Sequence, residues 1–234
     1  MTADAPMNLP RPLAAIVLDM DGTLHDTERV YHMALQEAVR AVGFAVTDAF
    51  CHSLIGIPGP ESDAMLREHL GPEFPFAEYD RLYEAHRDRA LAIAVPLKPG
   101  AMELLDALRH HGLKVAVATS ASRRAAERHL GRSGLRPHLP VVVTRDDVAH
   151  GKPHPDLFLL AAERLGVPCG ECLAVEDSFH GIHAAHAAGM MPVLVPDLLA
   201  PTQEIRAFCT RVARDLHEVR SLVAAPAVAR RTQA

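Results

Sequence analysis

Five short stretches of the chain are apolar at every position or nearly so: Ala14 to Leu18, Lys114 to Ala118, Val141 to Val143, Leu173 to Val175 and Pro192 to Val195. A strand with one solvated face alternates apolar and polar residues. A run without alternation suits a strand buried on both faces, as in a parallel sheet. The later runs are separated by segments of helical length, Ala101 to His110, Ser122 to Arg132, Pro155 to Leu165 and Phe179 to Ala188. Each supplies one crossover, so the pattern predicts an α/β fold with a doubly wound parallel sheet.

The rhythm changes after the first run. From Thr27 to about Val95 no comparable strand candidate occurs, while Val30, Ala34, Ala38, Val39, Ala41 and Val42 keep a helical period. Gly56 to Pro60 reads as a breaker; Met65 and Leu66 begin a second helical pattern, and Tyr79, Leu82, Tyr83 and His86 suggest a third. Residues 27–94 are therefore expected to form an inserted helical cap, entered at His25-Asp26 and left at Pro96 and Pro99-Gly100, with 13–26 and 95–223 as the core domain. Beyond Pro201 the pattern predicts a helix, a short edge strand within Thr210 to Arg214 and a last helix near Leu216 to Val223. Residues 1–12 and 224–234 read as tails, and no internal repeat is visible.

Composition narrows the function classes. The 234 residues leave room for a core domain carrying a smaller insertion, and 49% hydrophobic against 23% charged residues describes a globular chain rather than a disordered one. The apolar runs fall far short of the ~20 residues that a membrane helix needs, so no membrane partner is expected. The 24 basic residues are outnumbered by 29 acidic ones and scattered singly, and there is no Trp, which argues against nucleic acid. Cys51, Cys169, Cys172 and Cys209 are too irregularly spaced for a disulfide framework, and the N-terminal stretch lacks the pattern of a signal peptide. A reducing, cytoplasmic location is the expectation. The sequence is silent on oligomeric state, with a monomer as the default.

The candidate chemistry lies where the strands end. In an open parallel sheet the ligand crevice lies outside the C-terminal strand ends. The first run ends in Asp19-Met20-Asp21-Gly22-Thr23, the fourth in Glu176-Asp177-Ser178 and the second in Thr119-Ser120, while Gly151-Lys152-Pro153 precedes the helix before the fourth run. Either acidic cluster alone is also what a helix N-cap would look like. Their convergence with a lysine and hydroxyls suits a phosphate held on magnesium, because hard oxygen ligands select Mg²⁺ and a cation is needed before carboxylates accept a phosphate. Asp19 and Asp177, with Glu176, are candidate ligands, and Lys152 is a second positive charge. Ser120 or Thr119 offers a hydroxyl to a phosphoryl oxygen, and the Gly22 turn offers backbone N–H groups.

These motifs resemble those of the haloacid dehalogenase superfamily of aspartate-nucleophile phosphatases and phosphomutases, in the subgroup with a helical cap after the first motif. Asp19 to Thr23 match its D-x-D-G-T signature, Ser120 its second-motif hydroxyl, Lys152 its third-motif lysine, and Glu176-Asp177-Ser178 with Gly181 its fourth motif, over roughly Ala14 to Glu204. The resemblance implies that Asp19 is the nucleophile, forming an aspartyl-phosphate, and that Asp21 is the general acid and base. It also implies that the backbone carbonyl of Asp21 joins Asp19, Glu176 and Asp177 around Mg²⁺. Gly22, Thr23, Thr119, Ser120 and Lys152 would bind the phosphoryl group. An unperturbed Asp has a pKa of ~3.9, so Asp19 is expected to be ionised. An intact Asp21 favours phosphate esters over the carbon centres that the family's dehalogenases attack.

The expected activity is a magnesium-dependent phosphatase for a small phosphorylated metabolite, of the sugar phosphate or phosphoglycolate class. A hexose 1-phosphate mutase is the alternative enzyme, and a non-catalytic binding protein on the same fold is a third reading. Sugar-phosphate mutases of the group carry an arginine in the cap loop, here Ile55 to Ser62, where Pro60 and Glu61 stand instead. His32 and His52 offer polar contacts there. His180, His183 and His186 read as surface or packing histidines, Cys169 and Cys172 as reduced thiols, and Arg123, Arg124 and Arg128 as a solvated helix face.

Overall fold

In a computed structural model, residues 9–54, 57, 59–93, 95–197 and 200–224 are described. Among them, strands β1 (Ala15–Leu18), β2 (Lys114–Ala118), β3 (Val141–Val143), β4 (Cys172–Glu176), β5 (Met191–Leu194) and β6 (Arg211–Val212) form one sheet in the order β3-β2-β1-β4-β5-β6. Every pairing is parallel, as the unbroken apolar runs predict. Chain order reverses at β1, whose neighbours are β2 and β4, and this switch point opens a crevice at their C-terminal ends.

Side-chain alternation sorts the strands between two cores. Ile16, Leu18, Val115, Val117, Leu173 and Val175 face α5 (Ala101–His110), α6 (Arg123–Arg132) and α10 (Leu216–Val223). Ala15, Val17, Ala116, Ala118 and Ala174 face α7 (Asp156–Leu165) and α8 (Phe179–Ala187). The alanines on this second face let α7 and α8 lie close to the sheet. α9 (Gln203–Phe208) joins β5 to β6 and packs Ile205 against Ile182 and Leu194.

Between β1 and α5 the chain forms α1 (Glu28–Ala41), α2 (Asp48–Ser53), α3 (Gly59–Leu70) and α4 (Phe76–Ile93). They bury a small core of their own, in which Ala38, Val39, Leu66, Phe74 and Tyr79 meet. Two features differ from the sequence expectation. α2 was not anticipated, being too short for a hydrophobic period to show; the Thr47 hydroxyl caps it by accepting from the Phe50 N–H at 3.1 Å. The supposed breaker ends inside a helix, since α3 starts at Gly59 with Pro60 in its first turn, where a missing N–H costs nothing. Ile55, Gly56 and Pro58 of the expected cap loop, most of the N-terminal tail and nearly all of the C-terminal tail lie outside the described residues.

The two linkers run side by side. Asp26 donates its N–H to the Pro96 carbonyl and Lys98 to that of Leu24, each at 2.9 Å. Lys98 Nζ clamps the crossing, 2.9 Å from Asp26 Oδ1 and 2.6 Å from Asp197 Oδ1.

Candidate active site

β1 runs directly into Asp19, whose N–H continues the ladder to the Val175 carbonyl at 2.9 Å. Ala15, Val17 and Asp19 share one face of the sheet, as do Cys172, Ala174 and Glu176, so both carboxylates emerge on the α7/α8 side. Lys152, from the loop before α7, inserts between them. Its Nζ lies 2.5 Å from Asp19 Oδ1 and 2.5 Å from Glu176 Oε1, and donates to the Ala118 carbonyl at 3.0 Å. Asp19, Lys152 and Glu176 are all buried.

An oxygen from each of Asp19, Glu176 and Asp177 lies within 4.8 Å of the other two. Three carboxylates around one ammonium leave the group net negative. Burial, then the carboxylate of Glu176, push Asp19 up to about 8 against the pull of Lys152. Burial, Asp19 and Glu176 hold Asp177 well above the usual carboxylate range. Burial lowers the ammonium of Lys152, but Asp19 and Glu176 outweigh it and its pKa is raised. Burial and Glu176 thus oppose the charge on Asp19 while the Lys152 ammonium beside it favours that charge. A hard-oxygen donor set that is buried and short of cations fits Mg²⁺.

Two glycines make room for this cluster. A Cβ on Gly22, whose φ is +82°, would collide with the Asp177 carboxylate, and one on Gly181 would collide with that of Glu176. Ser178 caps α8 by accepting from the Gly181 N–H and donates its hydroxyl to Glu176 Oε2, both at 3.0 Å. Gly22 and Thr23, expected to face the phosphoryl group, do different work. The Gly22 N–H is taken by the His25 carbonyl at 2.8 Å, and Thr23, fully buried, donates its hydroxyl to Asp177 Oδ1 at 3.3 Å. Both belong to the frame of Asp177 because the turn after Asp21 packs against that carboxylate at the end of β4.

The second-motif hydroxyls divide likewise. Thr119 is buried and its Oγ1 accepts from the Ala121 N–H at 3.0 Å, whereas Ser120 is exposed at the edge of the cavity. That cavity, about 340 Å³, lies between the strand ends and the cap and has Asp19, Asp21, Thr119, Ser120, Lys152 and Asp177 along its core side.

Asp21 stands apart from the carboxylate cluster, turned toward the cap. Its Oδ1 accepts from Thr27 Oγ1 and from the Tyr31 hydroxyl, each at 2.8 Å. Sequence reasoning missed both donors. Thr27 and Tyr31 are four residues apart at the start of α1 and so share a helix face, which was a legible signal once α1 was placed. His32 lines the cavity, whereas His52 is exposed and touches the rim of His32 at 5.2 Å between ring centroids. His180 reaches the cavity wall, while His183 and His186 pack edge-on against Phe208, as packing histidines do.

The remaining temptations have structural duties. The four cysteines are free. Arg123 is tied to Asp147, and Arg128 is not a solvated cation: it forks onto Asp88 of α4 with two hydrogen bonds of 2.8 Å, joining core to cap. His25, fully buried in the first linker, meets Ser133 Oγ at 2.9 Å, and burial pushes its pKa down to about 4, so it is neutral.

Comparison with known proteins agrees with this geometry. The sequence profile of the haloacid dehalogenase-like hydrolases matches residues 13–189. A phosphorylated carbohydrates phosphatase of Thermotoga maritima is 32% identical over 178 residues, 76% of this chain and 82% of that one. The fructose-1-phosphate phosphatase YqaB of Escherichia coli is 36% identical over 180 residues, 76% of this chain and 93% of its own length. CbbY of Rhodobacter sphaeroides, crystallised as a variant with xylulose-1,5-bisphosphate, superposes with a TM-score of 0.74 at 28% identity, covering 88% of this chain and 96% of CbbY. With its doubly wound sheet, inserted helices and four motifs at one sheet edge, the chain belongs to the haloacid dehalogenase-like hydrolases.

Proposed function

We propose that this chain is a magnesium-dependent phosphatase that hydrolyses a small phosphorylated carbohydrate through an aspartyl-phosphate on Asp19. The observation that carries the reading is the ion-paired Asp19–Lys152–Glu176 group beside Asp177, at the core side of a cavity that Asp21 also lines. The carbohydrate class is supported by the relatives named phosphorylated carbohydrates phosphatase and fructose-1-phosphate phosphatase.

In this reading Asp19 and Asp177, beside Glu176 and with the main-chain carbonyl of Asp21, hold the metal. Bound there, magnesium supplies the positive charge that keeps the carboxylates ionised and offsets the charge of the phosphoryl oxygens. The Asp19 carboxylate attacks phosphorus, and the bond to the substrate oxygen breaks as Asp21 gives that oxygen a proton. Asp21 then takes a proton from the water that attacks the aspartyl-phosphate, releasing inorganic phosphate and restoring Asp19. Lys152 neutralises charge at Asp19 in both steps, and Ser120 donates to a phosphoryl oxygen. Thr27 and Tyr31 hold the Asp21 carboxylate in place at the cavity.

Replacing Asp19 with Asn tests this directly. Phosphate release from fructose 1-phosphate with Mg²⁺ should fall by at least about 10³-fold, with an unchanged far-ultraviolet circular dichroism spectrum; retained turnover would remove Asp19 as nucleophile. Equal inactivity of the wild type across a broad panel would instead favour the binding-protein reading. The mutase alternative predicts isomerisation of a hexose 1-phosphate in the presence of a bisphosphate, without net release of phosphate.

A further inference from the structure

The phosphatase reading assigns the core side of the cavity and leaves open what the cap side does. The side facing the leaving group is lined by Glu28, Tyr31 and His32 of α1, Asp63 of α3, and Tyr79 and Tyr83 of α4. Among the described residues no Lys or Arg of the cap lines it. The loop positions outside the described residues, Ile55, Gly56 and Pro58, carry no charge. Two cap arginines lie behind the lining: Arg67 over the Phe76 ring, 3.3 Å from its centroid, and Arg87 over the Tyr83 ring at 5.7 Å and paired with Glu84 and Asp88. His32 faces Asp48 at 3.6 Å, so a positive charge on it is already matched.

We infer that the cap selects phosphate monoesters whose leaving group is hydroxylated and carries no negative charge, and that Glu28 and Asp63 reject substrates bearing a second phosphate or a carboxylate. This rests on the phosphatase reading and deepens it. The balance of charge inside the cavity explains the choice. The core side carries Lys152 and the proposed metal, where the transferring phosphoryl group is neutralised. A second anion would lie on the opposite side, beside two carboxylates and with no cationic side chain of the cap in the lining to meet it, in surroundings where poor solvation strengthens the repulsion. Neutral hydroxyls meet better partners there, since carboxylates accept from them and tyrosine hydroxyls both donate and accept. The field is visible in the protein's own groups. Burial, Asp21 and Asp197 push Glu28 up to about 7 against Lys98, burial and Asp80 raise Asp63 against Arg67, and burial raises the Tyr83 phenol to about 12 against Arg87.

The test uses the full chain with Mg²⁺ and two matched pairs of substrates: fructose 1-phosphate against fructose 1,6-bisphosphate, and glycerol 3-phosphate against 3-phosphoglycerate. Initial phosphate release gives kcat/KM for each, with p-nitrophenyl phosphate reporting the chemistry alone. In the wild type the member with the extra anion should be poorer by about tenfold or more in both pairs. Asp63→Asn should narrow both ratios by about threefold, and Asp63→Lys further, through the dianionic member. Equal kcat/KM within either wild-type pair, or ratios that neither variant moves, would overturn the inference while leaving the phosphatase reading intact. Absence of turnover on every substrate, p-nitrophenyl phosphate included, would overturn both.

Discussion

At the residue scale the site is a set of charges made tolerable by their neighbours. Asp19, Glu176 and Lys152 are buried together, and each would be costly to bury alone. Asp21 differs in being held from the cap, by Thr27 and Tyr31, while the residues it must serve belong to the core. Tyr31→Phe removes one of two hydrogen bonds to Asp21 Oδ1 and should loosen its aim, lowering kcat on fructose 1-phosphate by about tenfold. Turnover of p-nitrophenyl phosphate, whose leaving group needs little help from an acid, should change far less; equal losses on both substrates would count against a positioning role. The motif residues were legible in the sequence because strand ends in a parallel sheet concentrate at one edge. The direction of each side chain was not. Thr23 was expected on the resemblance to bind the phosphoryl group, but its hydroxyl goes to Asp177.

At the element scale the helices on the core are pinned by polar ties at strand ends as well as by apolar burial. Asp147, in the loop after β3, joins three segments: it accepts from the N–H and hydroxyl of Thr144 and pairs with Arg123 of α6 and Arg164 of α7. Burial would raise its pKa, but these hydrogen bonds hold it well below the ordinary value of 3.8. A depressed carboxyl stabilises the fold above its unfolded pKa and loses that contribution as pH falls through the folded one. Asp147→Asn should therefore lower stability at pH 7 by about 1–3 kcal/mol. Thermal unfolding of the two proteins should show the gap steady down to about pH 5 and closing in more acid solution; a gap independent of pH would show that the charge is not what matters. Strands and long helices were read correctly because their apolar patterns are strong. α2 and the first turn of α3 escaped notice because capping by Thr47 and tolerance of Pro60, rather than hydrophobic period, define them.

At the scale of the whole molecule the cap is attached by two linkers, and polar ties join it to the core. Arg128 on Asp88 and Arg132 on the Leu91 carbonyl at 3.4 Å hold it over the cavity, and Lys98 between Asp26 and Asp197 clamps the linkers. Asp88 and Arg128 are partly exposed, so their pair contributes no more than about 1 kcal/mol to closure. Arg128→Ala should shift the balance toward an open cap by up to about fivefold, raising KM and speeding proteolysis within the linkers while thermal stability changes little. An unchanged KM and cleavage rate would show that this latch does not govern closure. Arg128 also marks where sequence reading reached its limit, since a cation on the polar face of a helix looks solvated until the inserted segment is folded back over it.

The sequence by itself determined the doubly wound sheet, the helical insertion and the residues gathered at the strand ends, because these follow from local apolar patterning and from the geometry common to parallel sheets. Only the tertiary structure decided that Asp19 is raised by burial, that Gly22 and Thr23 frame Asp177, that Tyr31 reaches Asp21, and that Glu28 and Asp63 line the cap side of the cavity. Those properties depend on which groups from distant segments share one poorly solvated space, and no spacing along the chain encodes that.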